Sequence, residues 1–342
     1  MSADSHNPSS RHHEIHRRYY LIAGITVQVE AEIPITDTTF NPKFKLFEVD
    51  GPGMETVIIR HRSQFPDTNI LYQGEQIYRK PPWLISKSNG SWIYGGILPE
   101  RFWTILNLAS HAWSRLNTWP SQLRRKKEKS SNTNLSPRRP DHLHLLAICN
   151  HDHTKVSIYN RRKGLLRRGN LHSLTLFPTD QILLARVLAE RKGCYLHACG
   201  AVLDSEGLLF VGHSGAGKST IASMLKNKGE ILCDDRIIVR RWQDGFRIHG
   251  TWSHGDLPDI SAGSAPLKAI LFLEQDKQNR LCQIDRKQEV ARRLLACLVK
   301  PLITADWWDR MLSLVEMITR EIPCYILHFN KSGEVVDVLQ EL

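Results

Sequence analysis

The residue types best suited to chemistry in this 342-residue chain lie in one glycine-rich segment. The segment fits the pattern GxxxxGK followed by Ser or Thr at every position. In order, its residues are Gly212, His213, Ser214, Gly215, Ala216, Gly217, Lys218 and Ser219, with Thr220 directly after them. Glycines allow backbone N–H groups to turn inward around phosphate oxygens, the lysine reaches the β and γ phosphates, and the serine hydroxyl ligates Mg²⁺. The segment therefore predicts binding of ATP with Mg²⁺.

The flanking residues decide between a phosphate-binding loop and a chance glycine turn. An apolar strand is predicted over residues 207–211, directly before the loop, and a helix over residues 219–228, directly after it. A phosphate-binding loop needs this order of strand, loop and helix, and the helix N-terminus adds a positive dipole end. The context favours the phosphate loop.

Two adjacent carboxylates end the next predicted strand. Asp234 and Asp235 follow the apolar residues 231–233 and stand 16 and 17 residues after Lys218. P-loop proteins place a metal-ligating carboxylate at the end of such a strand. Side chains of successive residues point to opposite faces, so one carboxylate can serve magnesium while the other accepts a proton. The alternative is that the pair only caps a turn, which is a common role of Asp.

A histidine precedes the loop on a predicted neighbouring strand. His197 stands 15 residues before Gly212 within an apolar run. Imidazole titrates close to neutral pH and can act as a catalyst, but a histidine in such a run can also be a hydrogen-bonded core residue. The residues alone leave both roles open.

Together, these features resemble the catalytic core of the bacterial HPr serine kinase/phosphorylase family. That family shares its nucleotide-binding fold with ATP-dependent phosphoenolpyruvate carboxykinase. The features are the histidine upstream of the loop, the GxSGxGKS form of the loop and the strand that ends in an Asp pair. The resemblance implies that His197 and Asp235 flank the γ-phosphate, with Asp235 as the base that activates a serine hydroxyl. It leaves Asp234 on the magnesium side together with Ser219, and assigns Lys218 to catalysis.

The chain also departs from this family. Thr220 stands where family members have Glu, and the N-terminal region does not resemble the family's regulatory domain. Phosphorolysis and HPr as substrate are therefore not implied. The expected acceptor is a hydroxyl group of a protein, a peptide or a small molecule.

The order of predicted elements indicates two regions. Residues 171–342 alternate between helix and strand, which predicts an α/β domain (an α+β mixed sheet) resembling the HPr-kinase/phosphoenolpyruvate-carboxykinase-like P-loop catalytic domain. The apolar run 335–339 is predicted to be its last strand. Residues 19–170 form a predicted β-rich region with one helix over 101–116 and a flexible basic insertion at 119–142, and residues 1–18 a disordered tail.

Composition limits the partners. The net charge is +11, which raises the question of nucleic acid. Residues 119–142 supply +5 of it, and a basic cluster at 161–168, predicted to be a hairpin, supplies another +5. This localisation makes nucleic acid an unlikely partner, although a basic docking face stays an alternative. No run approaches the ~18 apolar residues that a membrane span needs, and the N-terminus lacks the apolar stretch of a secretory signal, so a cytoplasmic protein is expected.

Two functions of different classes fit these observations. The first is an ATP-dependent kinase that uses Mg²⁺ and transfers the γ-phosphate to a hydroxyl group. The second is a regulatory module that binds or hydrolyses ATP without a phosphoacceptor, because a fold alone fixes no function. Residues 250–256, a glycine-bounded loop with Trp, His and Asp, could close over the phosphates, hold the acceptor or be a polar connection. The oligomeric state stays open between a monomer and a homo-oligomer.

Overall fold

A computed structural model describes residues 14–80, 83–97, 143–161, 164–175, 180–300 and 304–342. Within these ranges the chain forms two mixed β-sheets with helices beside them, which confirms the mixed α/β class. The predicted helix over 101–116 and the predicted insertion at 119–142 lie outside the described residues, as do residues 1–13 of the predicted tail.

The first sheet contains nine strands among the described residues, in the order β3-β1-β2-β4-β9-β8-β7-β6-β5. Its strands are β1 (His16–Ile22), β2 (Ile25–Ala31), β3 (Glu48–Val49), β4 (Thr56–Arg62), β5 (Glu75–Lys80), β6 (Trp83–Ser88), β7 (Ser91–Gly96), β8 (Leu145–Cys149) and β9 (Lys155–Asn160). β4 is parallel to both β2 and β9, and the other neighbours are antiparallel. β1 begins at His16, so residues 16–18 of the predicted tail are in a strand because they pair with β2.

Short helices accompany this sheet. They are a 3₁₀ helix at Pro42–Phe47, α1 (Ile70–Gln73), α2 (Leu165–Arg168) and α3 (Asp180–Ala189). The prediction of a basic hairpin at 161–168 is wrong over α2, because Leu165 and Leu166 are buried in the core of the first sheet and leave the arginines of that single turn outside.

The second sheet carries the glycine-rich loop. Its strands are β10 (Gly193–Leu203), β11 (Glu206–Val211), β12 (Glu230–Cys233), β13 (Arg236–Trp242), β14 (Gly245–His249), β15 (Ser264–Gln275), β16 (Arg280–Gln283) and β17 (Cys324–Phe329). The order is β11-β10-β13-β14-β15-β17-β16, with β12 paired to β10 and β11 also parallel to β15. Its helices are α4 (Lys218–Leu225), α5 (Lys287–Cys297), α6 (Ala305–Glu321) and α7 (Val335–Leu339). Across the described ranges, no helix combines the length and the apolar character needed to cross a bilayer.

The strand predicted at 335–339 is wrong, because this segment is the helix α7. Val335 and Leu339 stand four residues apart, so a helix places them on one face. Both are buried in the core beside Leu327 and Phe329 of β17. A five-residue apolar run fits the spacing of a strand as well as that of a helix, and here packing in the core selects the helix.

The two faces of the second sheet pack against different cores. Leu196 of β10 and Ile237 of β13 lie in a core with α5 and α6. Their neighbours Tyr195 and Ile238 lie in the core of the first sheet, which also contains Trp252 and α3 residues. The two sheets therefore share one hydrophobic core along this face.

Candidate functional site

The glycine-rich loop joins β11 to α4, in the predicted order of strand, loop and helix. Gly215 and Gly217 have φ values of +84° and +103°, a region that side chains disfavour. A Cβ at position 217 would also lie 2.5 Å from the Phe329 ring. Gln275, at the end of β15, donates to the Gly215 carbonyl (3.0 Å) and fixes the loop from the neighbouring strand.

Several loop N–H groups are available to a ligand. The Ala216 N–H donates to the His213 carbonyl at 3.1 Å. The N–H groups of Ser214, Gly215 and Gly217, by contrast, make no hydrogen bond to a protein acceptor in the part of the chain that the structure describes. Unpaired N–H groups beside a helix N-terminus are suited to an anion.

Lys218 is the first residue of α4. Its Nζ donates to the carbonyl oxygens of Gly212 (2.9 Å) and His213 (3.0 Å), which hold the ammonium group against the loop. Burial lowers the pKa of Lys218, while Asp235, Cys297 and Asp234 act in the opposite sense. The next residues, Ser219 and Thr220, lie in the first turn of the same helix.

Asp234 is tied to the loop by a short hydrogen bond. Its Oδ2 accepts from the Ser219 hydroxyl at 2.7 Å. The carboxylate also accepts from the backbone N–H groups of Gly255 (2.6 Å) and Leu257 (3.1 Å), and the residue is 1% exposed. The structure therefore brings Asp234 to Ser219, and a segment partly predicted to be a substrate loop supplies the other two donors.

That segment is anchored on the first sheet's side of the molecule. Trp252 is buried, and its ring centroid lies 5.1 Å from that of Phe44 and 5.3 Å from that of Phe47. Both phenylalanines belong to the 3₁₀ helix Pro42–Phe47. The loop that holds Asp234 is thus packed against residues of the β-rich region.

Asp235 makes longer contacts, with one histidine and one arginine. Its Oδ1 lies 3.7 Å from Nδ1 of His197, and its Oδ2 lies 3.6 Å from Nη1 of Arg236. His197 and Arg236 are directly opposite each other on β10 and β13. Burial acts to raise the pKa of the Asp235 carboxyl, but His197, Arg236 and Lys218 outweigh it and lower that pKa to about 2. The carboxylate is therefore ionised at neutral pH.

The turn between β12 and β13 sets the different directions of the two carboxylates. The Cys233 Sγ accepts from the N–H groups of Asp235 (3.3 Å) and Arg236 (3.4 Å), and the thiol donates to the Ser253 carbonyl. Burial raises the pKa of the Cys233 thiol to about 12, so it stays protonated. The buried thiol closes the turn that carries both Asp residues.

The site has two sides. The loop side is Lys218, Ser219 and Asp234. The interface side is His197, Asp235 and Arg236, together with Lys43 of the 3₁₀ helix Pro42–Phe47, whose pKa the Arg236 charge lowers. Sequence reasoning named all of these except two basic residues, Lys43 and Arg236. The sequence did contain a signal for Arg236. It stands two residues before the buried Ile238 in an aliphatic strand, so both side chains lie on the same buried face.

Comparisons with known proteins give one family match and a distant structural similarity. The model of a family described as SynChlorMet cassette protein ScmC matches residues 174–342, just under half of the chain. No curated protein matches the chain. Among solved structures, the chain has a distant similarity to the HPr(Ser) kinase/phosphatase from Coxiella burnetii, with 10% identity and a TM-score of 0.27 over 43% of this chain and 88% of that chain. At this TM-score the similarity carries no argument about function.

Proposed function

We propose that the chain is an ATP-dependent kinase that transfers the γ-phosphate to a hydroxyl group, with a serine of a protein or peptide as the expected acceptor. The observation that carries the proposal is the separation of two neighbouring carboxylates. Asp234 accepts a hydrogen bond from Ser219 of the loop, whereas Asp235 faces His197 and Arg236. Phosphoryl transfer needs both a metal-side carboxylate and a base beside the attacking hydroxyl.

The loop side fits a magnesium ion that arrives with a nucleotide. Mg²⁺ prefers oxygen ligands and is usually held by one or two protein oxygens, substrate phosphates and water. Ser219 and Asp234 supply such oxygens. No group of three or more His, Cys, Asp or Glu side chains in the described ranges could hold a metal ion, and a phosphate-bound magnesium does not need one. Both oxygens of Asp234 already accept hydrogen bonds, so we propose that it acts on the ion through Ser219 and water.

The same side fits the phosphates. The N–H groups of Ser214, Gly215 and Gly217 and the N-terminus of α4 form a concentration of donors around the loop. The Lys218 ammonium adds a full positive charge that neutralises negative charge on the β and γ phosphates. Thr220 follows in the first turn of the helix, next to this group of donors.

On the interface side, Asp235 is the proposed base. When bound, Mg–ATP supplies the phosphoryl group, whose phosphorus gains a bond to the acceptor oxygen while its bond to the leaving β-phosphate oxygen breaks. Asp235 accepts the proton that the acceptor hydroxyl loses, so the products are ADP, the phosphorylated acceptor and one proton. His197 orients the Asp235 carboxylate from its Oδ1 side, 3.7 Å away.

A labelling experiment tests this proposal against the regulatory module. The full chain is incubated with γ-labelled ATP, Mg²⁺ and a cell extract, and transferred label is measured beside free phosphate. A kinase gives a labelled product that Asp235→Asn abolishes and that Asp244→Asn, a change at an exposed aspartate in the β13–β14 turn, leaves intact. Release of free phosphate alone would support the module, and absence of nucleotide binding would contradict both.

A further inference from the structure

Three residues of the second sheet share the face that packs on the first sheet. Tyr195 and Ile238 lie in the first sheet's core, and side chains alternate along a strand. His197 on β10 and both Arg236 and Arg240 on β13 are therefore on that same face. The two arginines are four residues apart and equally buried, at 4% and 5% exposure.

Arg240 is paired through both of its terminal nitrogens, although its Nε, like that of Arg236, is buried without a hydrogen-bond partner among the described residues. Its Nη1 donates to the Ala23 carbonyl at 2.7 Å, and its Nη2 donates to Glu55. Its guanidinium also lies 4.1 Å from the centroid of the Trp242 ring. These contacts join β13 to the β1–β2 turn and to the residue before β4, so Arg240 is a structural residue.

Arg236 has almost none of these partners. Its Nη1 lies 3.6 Å from Asp235 Oδ2, which is longer than a hydrogen bond. Its Nε is buried and has no hydrogen-bond partner among the described residues. A guanidinium has five N–H donors, and a charge buried without acceptors is destabilising. The guanidinium nitrogens of Arg236 that do not face Asp235 therefore lack an anionic partner.

The charge of Arg236 also acts on a second cation, Lys43. Lys43, in the 3₁₀ helix Pro42–Phe47, is half-buried, and its Nζ lies 5.4 Å from the Phe44 ring centroid. Within the described part of the chain this Nζ makes no ion pair or hydrogen bond. Burial lowers the pKa of Lys43, and the Arg236 charge lowers it further against Asp180 and Cys233, to about 8.

A short series of contacts connects the backbone of Arg236 to the helix that carries Lys43. The Thr251 hydroxyl donates to the Arg236 carbonyl at 2.7 Å. The next residue, Trp252, packs on Phe44, which directly follows Lys43. Arg236 thus lies beside Asp235 Oδ2 on the face between the two sheets, and the helix that carries Lys43 packs on the neighbouring residues 251–252.

We propose that Arg236 and Lys43 form an anion subsite for the phosphoryl acceptor, so that the acceptor carries a carboxylate or phosphate group near its reacting hydroxyl. This rests on the proposed kinase function. An acceptor hydroxyl that donates to Asp235 brings its neighbouring substituents toward Arg236, whose remaining donors match an oxyanion in two-pronged geometry. The subsite selects acidic acceptors and neutralises Arg236 in the same step.

Anion binding tests the subsite without any acceptor. Calorimetric titrations with inorganic phosphate and, separately, with acetate are made on the full chain saturated with Mg²⁺ and a non-hydrolysable ATP analogue. We expect one further anion to bind, and Arg236→Gln to weaken its binding about tenfold or more, as expected for a charge-assisted hydrogen bond. Lys43→Gln, a change at a partly buried position, should weaken it a few-fold. If phosphate binds more tightly than acetate, the expected acceptor carries a phosphate group. If acetate binds more tightly, the expected acceptor carries a carboxylate.

Arg240→Gln is the matched control, because it removes the same side chain from the same strand, face and depth. It should lower the melting temperature and leave anion binding by the folded protein unchanged. The subsite is overturned if wild type binds no further anion, or if Arg236→Gln and Lys43→Gln bind it as tightly as wild type.

A transfer assay adds the second test. Serine peptides with an acidic neighbour are compared with the same peptides carrying the neutral amide, and wild type should prefer the acidic form while Arg236→Gln should not. Equal loss of transfer for both peptides in Arg236→Gln would mean that this arginine acts only through Asp235. Repeating the phosphate titration in Lys218→Ala separates the two proposals, because anion binding that persists there stands even if nucleotide binding to the loop fails.

Discussion

The loop side and the interface side of the site differ in how completely the protein satisfies their charges. On the loop side, Asp234 accepts three hydrogen bonds of 2.6 to 3.1 Å, and Lys218 donates two. On the interface side, the two contacts of Asp235 are 3.6 and 3.7 Å long, and the Arg236 side chain donates no hydrogen bond within the described ranges. A group that is already satisfied positions its neighbours, whereas a group with free capacity can bind or react. Under the proposed function, the nucleotide and magnesium bind on the loop side, and the acceptor and its proton are handled on the interface side.

The largest effect is expected from Lys218→Ala. The loop lysine is the one full charge that the loop offers to the phosphates, so its loss should lower transfer by about 10³–10⁵, as for other cations that stabilise this transition state. Folding should survive because the ammonium contacts only carbonyls of the loop. Nucleotide binding and label transfer measure the effect, with a change at the opposite end of the same helix, at the exposed Lys226 (Lys226→Ala), as control. If Lys218→Ala bound nucleotide as tightly as wild type, the assignment of the glycine-rich segment as a phosphate-binding loop would be wrong.

Asp235→Asn should have the next largest effect. Loss of a general base lowers transfer by about 10²–10⁴, while Mg–ATP affinity should stay near wild type because the phosphates are held on the loop side. His197→Ala should resemble this variant, since it removes the partner of the Asp235 Oδ1 atom. Single-turnover transfer and nucleotide affinity are measured on both variants. A large loss of nucleotide affinity in Asp235→Asn would contradict the division into two sides.

Asp234→Asn should raise the magnesium concentration needed for transfer by about 10- to 100-fold, the range seen for residues that orient metal ligands. It disturbs the acceptor of the Ser219 hydroxyl without removing any group from the interface side. Extra magnesium should therefore partly restore its activity. If magnesium rescued Asp235→Asn and left Asp234→Asn inactive, the roles of the two carboxylates would be reversed.

The smallest expected effect is on stability at acid pH, where the contribution of ionised Asp235 on the interface side should be lost. The Asp235 pKa is lowered from 3.8 to about 2, so the ionised form stabilises the fold by about 2 kcal/mol above pH 4. This contribution is lost as the pH falls from about 4 through 2, because protonation then becomes favourable in the unfolded chain first. Urea unfolding of wild type and Asp235→Asn at pH 7, 5, 4 and 3 measures it. The difference in unfolding free energy should shrink below pH 4, and a constant difference would mean that the surrounding cations do not act on Asp235.

The sequence predicted the loop side well because local rules determine it. Glycines at positions 215 and 217 are required by positive φ, an apolar strand precedes them and a helix follows. The place of Asp234 at the end of β12 also follows from the chain's local pattern. These features need no knowledge of distant residues.

The interface side was only partly predictable, because it depends on packing between residues far apart in the chain. Lys43 is nearly 200 positions before Arg236, and the packing of Trp252 on Phe44 and Phe47 brings their surroundings together. That Arg240 is paired and Arg236 is not depends on Ala23 and Glu55, which a strand pattern cannot reveal. The helix α7 shows the same limit. Its five residues fit both strand and helix spacing, and only their packing in the core selects the helix.

The core shared by the two sheets has a practical consequence for dividing the chain. Residue 174, where the family match begins, is an attractive start for a shortened recombinant fragment. Such a fragment would expose Tyr195, Ile238, Trp252 and Val299, all of which are buried together with side chains from residues 20–174. Each fully buried side chain of this kind is worth ~1.5–3 kcal/mol, and an exposed apolar patch promotes aggregation. A fragment cut at the family boundary would thus be prone to precipitate, and the loop that holds Asp234 would lose the support of Trp252.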